Sequence, residues 1–235
     1  MSPSTRVAFS DLARATYCPR QLYYARRDDD RGPPADVGER RALAFKYRTL
    51  RDASDDVLRD SPVAVAPDSY RAALDRLAAR DEFDALCDPA DRDVLLTGKD
   101  CRGIVQKLLS GSESNDWNES NEVTPPTPVL VSPGEPPDRG VWEPQAVKAV
   151  AAAKALAWER EREIPRVLVE YPTYGVVRTV HLTTRKKAAY RTALRTVRSM
   201  DGPPPRLRGS DKCDACEYRS QCGVKTRSLR SLLGL

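Results

Sequence analysis

KCDACEYRSQC, residues 212–222, places three cysteines, Cys213, Cys216 and Cys222, close together near the end of the chain. The two residues between Cys213 and Cys216 allow both sulfur atoms to face one metal across a tight turn. Thiolates are soft ligands that suit zinc ions and iron–sulfur clusters. Because such sites need four ligands, the segment predicts a fourth ligand from a distant part of the chain.

The fourth ligand is sought among the other cysteines, because the only histidine, His181, lies on a predicted hairpin. Cys87 follows a predicted helix and Cys101 lies beside a predicted strand, and both are interpreted as small buried side chains. Cys18 heads a Cys-Pro pair, whose proline fixes the local chain and suits a rigid ligand turn. On spacing alone an iron–sulfur cluster is favoured, and zinc stays open.

Length and composition predict a folded cytoplasmic protein. The chain has 235 residues, of which 40% are hydrophobic, and this suffices for a core. No run approaches the roughly 18 apolar residues of a membrane span, and the N-terminus lacks the apolar stretch of a secretory signal. In the cytoplasm clustered cysteines bind metal more often than they form disulfides. The net charge of +5 and the excess of arginine permit a nucleic-acid partner, although a G+C-rich gene would give the same excess.

Hydrophobic periodicity predicts a mixed α/β domain with helices around a central sheet. The segments expected to be helical are 9–27, with a break at Pro19, and 38–53, 70–86, 143–162 and 184–200. The segments expected to form strands are 93–98, 102–109 and 128–134, followed by a hairpin across 166–182. The polar segment 111–127 predicts an exposed, mobile insertion.

Two segments resemble a known family. LARATYCPRQLYY (12–24) resembles the opening of the CRISPR-associated exonucleases of the RecB-like, PD-(D/E)XK nuclease superfamily, and KCDACEYRSQC resembles their closing segment. The elements between them follow the family's order. The resemblance implies one PD-(D/E)XK (restriction-endonuclease-like) domain over 1–235, with an N-terminal segment 1–30 and a cysteine module 206–225. It also implies that a [4Fe-4S] cluster is held by Cys18, Cys213, Cys216 and Cys222.

The chain departs from this family at the hydrolytic site. The family holds Mg²⁺ or Mn²⁺ with an early histidine, an aspartate in a G-x-x-D strand, and the glutamate and lysine of an E-x-K strand, and carries a glutamine and a tyrosine one helical turn apart. The segment 38–53 contains no histidine, and the other positions hold Gln106, Leu130, Ser132, Lys148 and Ala152. Such side chains cannot hold a divalent cation tightly. No catalytic residue is therefore assigned, and Mg²⁺ or Mn²⁺ is expected only if other acids have taken over. Asp100 and Glu170 are the candidates, and both are interpreted as ordinary strand-edge acids.

Basic residues recur along the helix predicted at 184–200, at spacings that put several on one face. The candidate nucleic-acid contacts are Arg185, Lys186, Arg191 and Arg195. A solvated surface helix is the alternative.

The favoured function is that of an exonuclease-like iron–sulfur protein that binds DNA through a degenerate site. The resemblance implies DNA, single-stranded or at ends, and other CRISPR-associated proteins as partners in antiviral defence. An active single-stranded DNA exonuclease with relocated ligands and a zinc-stapled interaction module are the alternatives.

Overall fold

A computed structural model describes residues 6–28, 32, 35–111, 124–207, 211–214 and 216–223. Within these ranges the chain is α/β, with a mixed six-stranded sheet flanked by helices. The strands are β1 (Val7–Ala8), β2 (Asp91–Thr97), β3 (Cys101–Leu109), β4 (Thr127–Val131), β5 (Arg166–Tyr171) and β6 (Val176–His181). The helices are α1 (Phe9–Tyr17), α2 (Pro19–Ala25), α3 (Asp36–Ala42), α4 (Tyr47–Arg51), α5 (Asp55–Asp60), α6 (Pro67–Ala78), α7 (Phe83–Cys87), α8 (Glu143–Arg160) and α9 (Thr184–Arg198).

The long strand β3 organises the sheet. It pairs antiparallel with β2 along most of its length and antiparallel with β4 at its end. The short β1 pairs parallel with its beginning. Next to β4 lies β5, which is parallel to it, and β6 closes the sheet as the antiparallel partner of β5. Because β4 and β5 run the same way, their carboxyl ends share one edge, the usual place of ligand crevices in α/β sheets.

Two hydrophobic layers enclose the sheet. On one face α1, α8 and α9 pack together, and the alanine-rich α8 approaches closely because residues such as Ala149 and Ala152 are fully buried. On the other face Tyr47 of α4 and Tyr70 of α6 form the core with strand residues such as Val129. All of β4 and the second half of β3, residues 105–109, are therefore buried, whereas Arg102 and Ile104 at the beginning of β3 are exposed.

The α/β class and most predicted elements are confirmed, and the differences have local causes. The segment 9–27 forms two helices that meet at Cys18, since Pro19 is well suited to begin the second one. The segment 38–53 is broken by a 3₁₀ turn at Leu43–Phe45. The segment 70–86 forms most of α6 and all but the last residue of α7, and the sequence did not predict β1 or α5. Most of the expected insertion, residues 112–123, lies outside the described residues.

No helix in the described ranges is both long and apolar enough to cross a membrane.

Candidate functional site

The four cysteines predicted as ligands line one cavity, the cysteine cavity, formed by Cys18, Cys213, Cys216 and Cys222. Cys18 lies in extended backbone at the junction of α1 and α2. The other three lie on successive turns, in which the Cys216 amide donates to the Cys213 carbonyl at 3.4 Å and the Cys222 amide donates to the Tyr218 carbonyl at 2.8 Å. All four thiols are free of disulfides. Residues from opposite ends of the chain thus meet at one place.

Ordinary side-chain contacts hold the cysteine module against α2. The guanidinium of Arg20 donates to the Pro204 carbonyl at 2.7 Å. The Tyr218 hydroxyl donates to the Asp28 carboxylate at 2.9 Å, and the ring of Tyr218 stacks on Tyr24 with the centroids 6.1 Å apart. The walls of the cavity are therefore positioned by the polypeptide itself.

The charges around the cysteine cavity suit a thiolate-bound metal group. Burial raises the pKa of the Cys216 thiol, and the neighbouring Cys18, Cys222 and Cys213 raise it further, because thiolates so close would repel one another. A metal group bound among the sulfurs would remove this repulsion and release protons. Basic residues also line the cavity, namely Arg20, Arg206, Lys212 and Arg219. Since a cluster with four thiolates carries net negative charge, these four cysteines and this basic lining fit a [4Fe-4S] cluster.

The thiols do not close around a single ion. Among the described side chains, no group of three or more His, Cys, Asp or Glu residues is arranged to hold one metal ion. Neither Cys87 nor Cys101 lines the cysteine cavity. Cys101 is a small buried side chain, as expected, and its sulfur accepts a hydrogen bond from the Tyr190 hydroxyl at 3.4 Å. Cys87 is half-buried at the end of α7.

Gln106 on β3, which stands where the family has an aspartate, takes part in sheet pairing. Its side chain is only 8% exposed, and its Oε1 accepts the Val131 amide at 2.9 Å. The amide of Ser132 donates to the Glu170 carbonyl at 2.8 Å, which continues the pairing of β4 with β5. Leu130 is buried in the core. These positions therefore offer no anionic oxygen to a metal.

The expectation that Glu170 is an ordinary strand-edge acid is wrong. Its side chain is 0% exposed, and Oε1 lies 2.9 Å from Nζ of the equally buried Lys107. The Tyr47 hydroxyl donates to Oε2 at 2.8 Å, and Lys107 also donates to the carbonyls of Ala44 and Leu86, each at 2.6 Å. Burial raises the pKa of Glu170 and lowers that of Lys107, and their attraction opposes both shifts. This group is a buried ion pair in which Oε2 accepts both hydrogen bonds and Oε1 lies beside the ammonium group without a hydrogen bond of its own among the described residues. The sequence did not reveal it because its members come from four separate segments.

Asp100 lies at a different place, on the turn before β3. Its carboxylate pairs with Arg198 of α9 at 2.8 Å, and both side chains are about one-third exposed. Glu170 in the core and Asp100 near the surface thus form ion pairs with different cations, Lys107 and Arg198.

The basic helix predicted from the sequence is α9. Its side chains Arg185, Arg191 and Arg195 are exposed, and Lys186 is half-buried with Nζ donating to the His181 carbonyl at 3.1 Å. Thr183 caps the helix by accepting the Lys186 amide at 3.5 Å. The opposite side of α9 packs into the core, so the arginines stay on the outer surface.

A second basic group lies where α8 passes the end of β4. The sequence did not predict that these residues would lie together. Lys148 is half-buried, and burial together with the charge of Arg41 lowers its pKa from 10.5 to about 8. One turn earlier, Gln145 Nε2 lies 3.5 Å from the Ser132 hydroxyl oxygen. The Gln145 Oε1 and the Arg41 Nε are buried and have no hydrogen-bond partner among the described residues. We call these residues, Arg41, Ser132, Gln145 and Lys148, the sheet-end site.

An open groove lies beside the cysteine cavity, and Gln145 is the member of the sheet-end site that lines it. Trp142, which is 51% exposed, also lines this groove. Its side chains include the cations Arg14 and Lys212 and one carboxylate, Glu143. The residues that line both the groove and the cysteine cavity are Tyr17, Gln21 and Lys212.

Comparison with known proteins adds no family to these observations. No protein-family model matches the chain, and no curated protein matches it at a significant level. The function must therefore be inferred from the cysteine cavity, the sheet and the basic surfaces.

Proposed function

We propose that this protein is a nucleic-acid-binding iron–sulfur protein, related to the CRISPR-associated exonucleases, whose hydrolytic metal site has been lost. The observation that carries this proposal is the cysteine cavity, in which Cys18 meets Cys213, Cys216 and Cys222. Three cysteines in one module and a fourth near the other end of the chain form a ligand set typical of a cluster.

The role of the cluster is structural in this proposal. When bound, a [4Fe-4S] cluster supplies four iron–sulfur bonds to the chain and a potential one-electron centre. Cys18 and the cysteine module close a loop of nearly the whole chain, and such closure stabilises the fold by restricting the unfolded state. The contacts of Arg20 and Tyr218 keep the two segments in register for the four bonds.

The loss of hydrolysis follows from the residues at the sheet. A parallel pair joined by a crossover helix, as in β4–α8–β5, supports a PD-(D/E)XK core but is not specific to it. A metal-dependent nuclease needs hard oxygen ligands at this place. Gln106 is neutral and bonded to β4, and Glu170 is neutralised by Lys107 in the core. We therefore propose binding without cleavage.

Nucleic-acid binding is supported by the basic surfaces. The exposed arginines of α9 and the cations of the groove suit phosphate contacts that do not depend on base sequence. An exposed tryptophan beside such a groove suits stacking with unpaired bases, so single-stranded DNA or DNA ends are the proposed ligand. The prediction that other CRISPR-associated proteins bind this protein rests on the sequence resemblance alone.

The cluster is tested by anaerobic purification of the full chain, followed by iron and sulfide quantification. We expect about four iron and four sulfide per chain, with visible charge-transfer absorbance. Cys18→Ser should lose most of the iron, whereas the control Cys87→Ser should retain it, since Cys87 is a free thiol outside the cavity. Zinc without sulfide would instead identify a zinc-stapled module. Full iron content in Cys18→Ser would overturn the ligand assignment.

The degenerate site is tested on the same sample with single-stranded and double-stranded DNA, with and without Mg²⁺ or Mn²⁺. We expect DNA binding that weakens with salt and no degradation. Degradation that disappears in Asp100→Ala or in Glu170→Gln, with unchanged circular dichroism, would establish an active nuclease with relocated ligands.

A further inference from the structure

The sheet-end site combines two cations and holds no anion to balance them. Arg41 comes from α3 and Lys148 from α8, and the charge of Arg41 acts on Lys148. In the described part of the chain neither forms an ion pair. Of the two acids on α3, Asp36 is bound to Arg40 at 2.7 Å, and Glu39 forms no ion pair with Arg41 among the described residues. Two like charges held together by the fold cost free energy that a bound anion would recover.

The polar atoms around these cations have unused hydrogen-bonding capacity. Arg41 Nε is a buried donor without a described acceptor, and Gln145 Oε1 is a buried acceptor without a described donor. Buried polar atoms without partners are uncommon and costly in folded proteins. If the Gln145 amide turns over, Oε1 accepts the Ser132 hydroxyl and the amide NH₂ can donate to a ligand. The Arg41 Nε–H and the Gln145 NH₂ would then both be donors without acceptors. A ligand rich in acceptor oxygens would satisfy both of them.

The place in the fold is suited to a ligand. Ser132 directly follows β4, so the site lies at the carboxyl edge of the parallel pair β4–β5. Lys148 stands one helical turn beyond Gln145, which lines the open groove. A chain of phosphates that follows the groove would therefore pass Gln145, one helical turn from Lys148.

We propose that Arg41, Gln145 and Lys148 form a phosphate-binding site at the carboxyl edge of the sheet. The proposal rests on the proposed function, since it names the residues that hold a DNA phosphate. In a metal-dependent nuclease a metal ion supplies positive charge to the phosphate, and here two side-chain cations supply it. The guanidinium presents a fork of donors to the phosphate oxygens, and the lysine adds a compact charge. Because no divalent ion takes part, binding does not require one.

The test uses anaerobically purified full-length protein in EDTA, with a fluorescent single-stranded oligonucleotide followed by anisotropy. Lys148→Gln removes the charge and should weaken binding about tenfold, the loss expected for one hydrogen bond to a charged group. The matched control Lys154→Gln makes the same change on the same helix, at an exposed lysine that lies 5.9 Å from the Tyr190 ring centroid. It should change the affinity less than about twofold, as a distant surface charge does. Arg41→Gln should resemble Lys148→Gln.

Inorganic phosphate separates this site from the rest of the DNA surface. Millimolar phosphate should raise the Tm of the unaltered protein and of Lys154→Gln but not that of Lys148→Gln, and it should compete with the oligonucleotide. If DNA binds all variants equally, the phosphate site is wrong while DNA binding stands. If phosphate binds through Lys148 but DNA does not bind at all, the proposed function is wrong and the site serves a free phosphate. If neither ligand distinguishes Lys148→Gln from the control, the inference is overturned.

Discussion

Two buried or half-buried lysines, one within the sheet and one at its carboxyl edge, have opposite environments. Lys107 on β3 is fully buried and meets Glu170, Tyr47 and two carbonyl groups. Lys148 on α8, at the sheet edge, is half-buried beside a second cation and has no described acid. A buried charge whose donors are all used serves the fold, because nothing from outside can reach or improve it. A pair of cations without a described counter-ion is completed only by a ligand, which is why we assign it to binding.

Lys107→Met tests the first half of this comparison and should have the largest effect. The change removes the ammonium group that balances the Glu170 carboxylate in the core. The buried acid must then stay charged without a counter-ion or take up a proton. We expect a loss of about 3–5 kcal/mol in the free energy of unfolding, measured with urea. The control Lys154→Met, at an exposed lysine of α8, should cost less than about 0.5 kcal/mol, as surface changes do. A double variant, Lys107→Met with Glu170→Gln, should recover part of the loss, and a cost below about 1 kcal/mol for the single variant would contradict the assigned role.

Gln106→Leu tests whether this position serves the sheet. Gln106 precedes Lys107 on β3, so its side chain points to the opposite face. Leucine keeps most of the volume but leaves the buried Val131 amide without the acceptor it has at 2.9 Å. We expect a loss of about 1–3 kcal/mol in urea unfolding. Gln145→Leu is the matched control, since its only described contact is long, at 3.5 Å, and it should cost clearly less. Equal costs for both would mean that the Gln106 bond is not special.

The sequence revealed the fold better than it revealed the sites. Apolar runs bounded by glycine or proline predicted β3 and β4, and the alanine-rich segment predicted α8, because those signals are local. The cysteine ligand set came from a resemblance, and the structure adds that these residues share a cavity. Glu170 and Lys148 were misjudged or missed because their environments depend on residues far along the chain, Lys107 and Arg41. A single sequence does not show which distant charge a side chain will meet.

Lys148→Met tests the cost of keeping the unpaired cation. Methionine has a similar length and no charge, so it fits the site without the repulsion from Arg41. We expect the variant to be more stable than the unaltered protein by about 1 kcal/mol at pH 7 while it binds DNA more weakly, as for other residues kept for function. The folded-state pKa of about 8 lies below the unfolded value of 10.5, so the cost is complete below pH 8 and fades toward pH 10.5. Urea unfolding at several pH values measures this trend, and a variant less stable at pH 7 would contradict it.

The pH dependence of DNA binding gives the smallest and most specific effect. With its pKa lowered to about 8, Lys148 loses its proton in the free protein between pH 7 and pH 9. A bound phosphate favours the charged lysine, so the affinity should fall several-fold over this range, by less than about tenfold. Lys148→Gln should bind with nearly constant affinity, because it has nothing to titrate there. A parallel decline in both proteins would assign the pH dependence to another group and remove Lys148 from the phosphate contact.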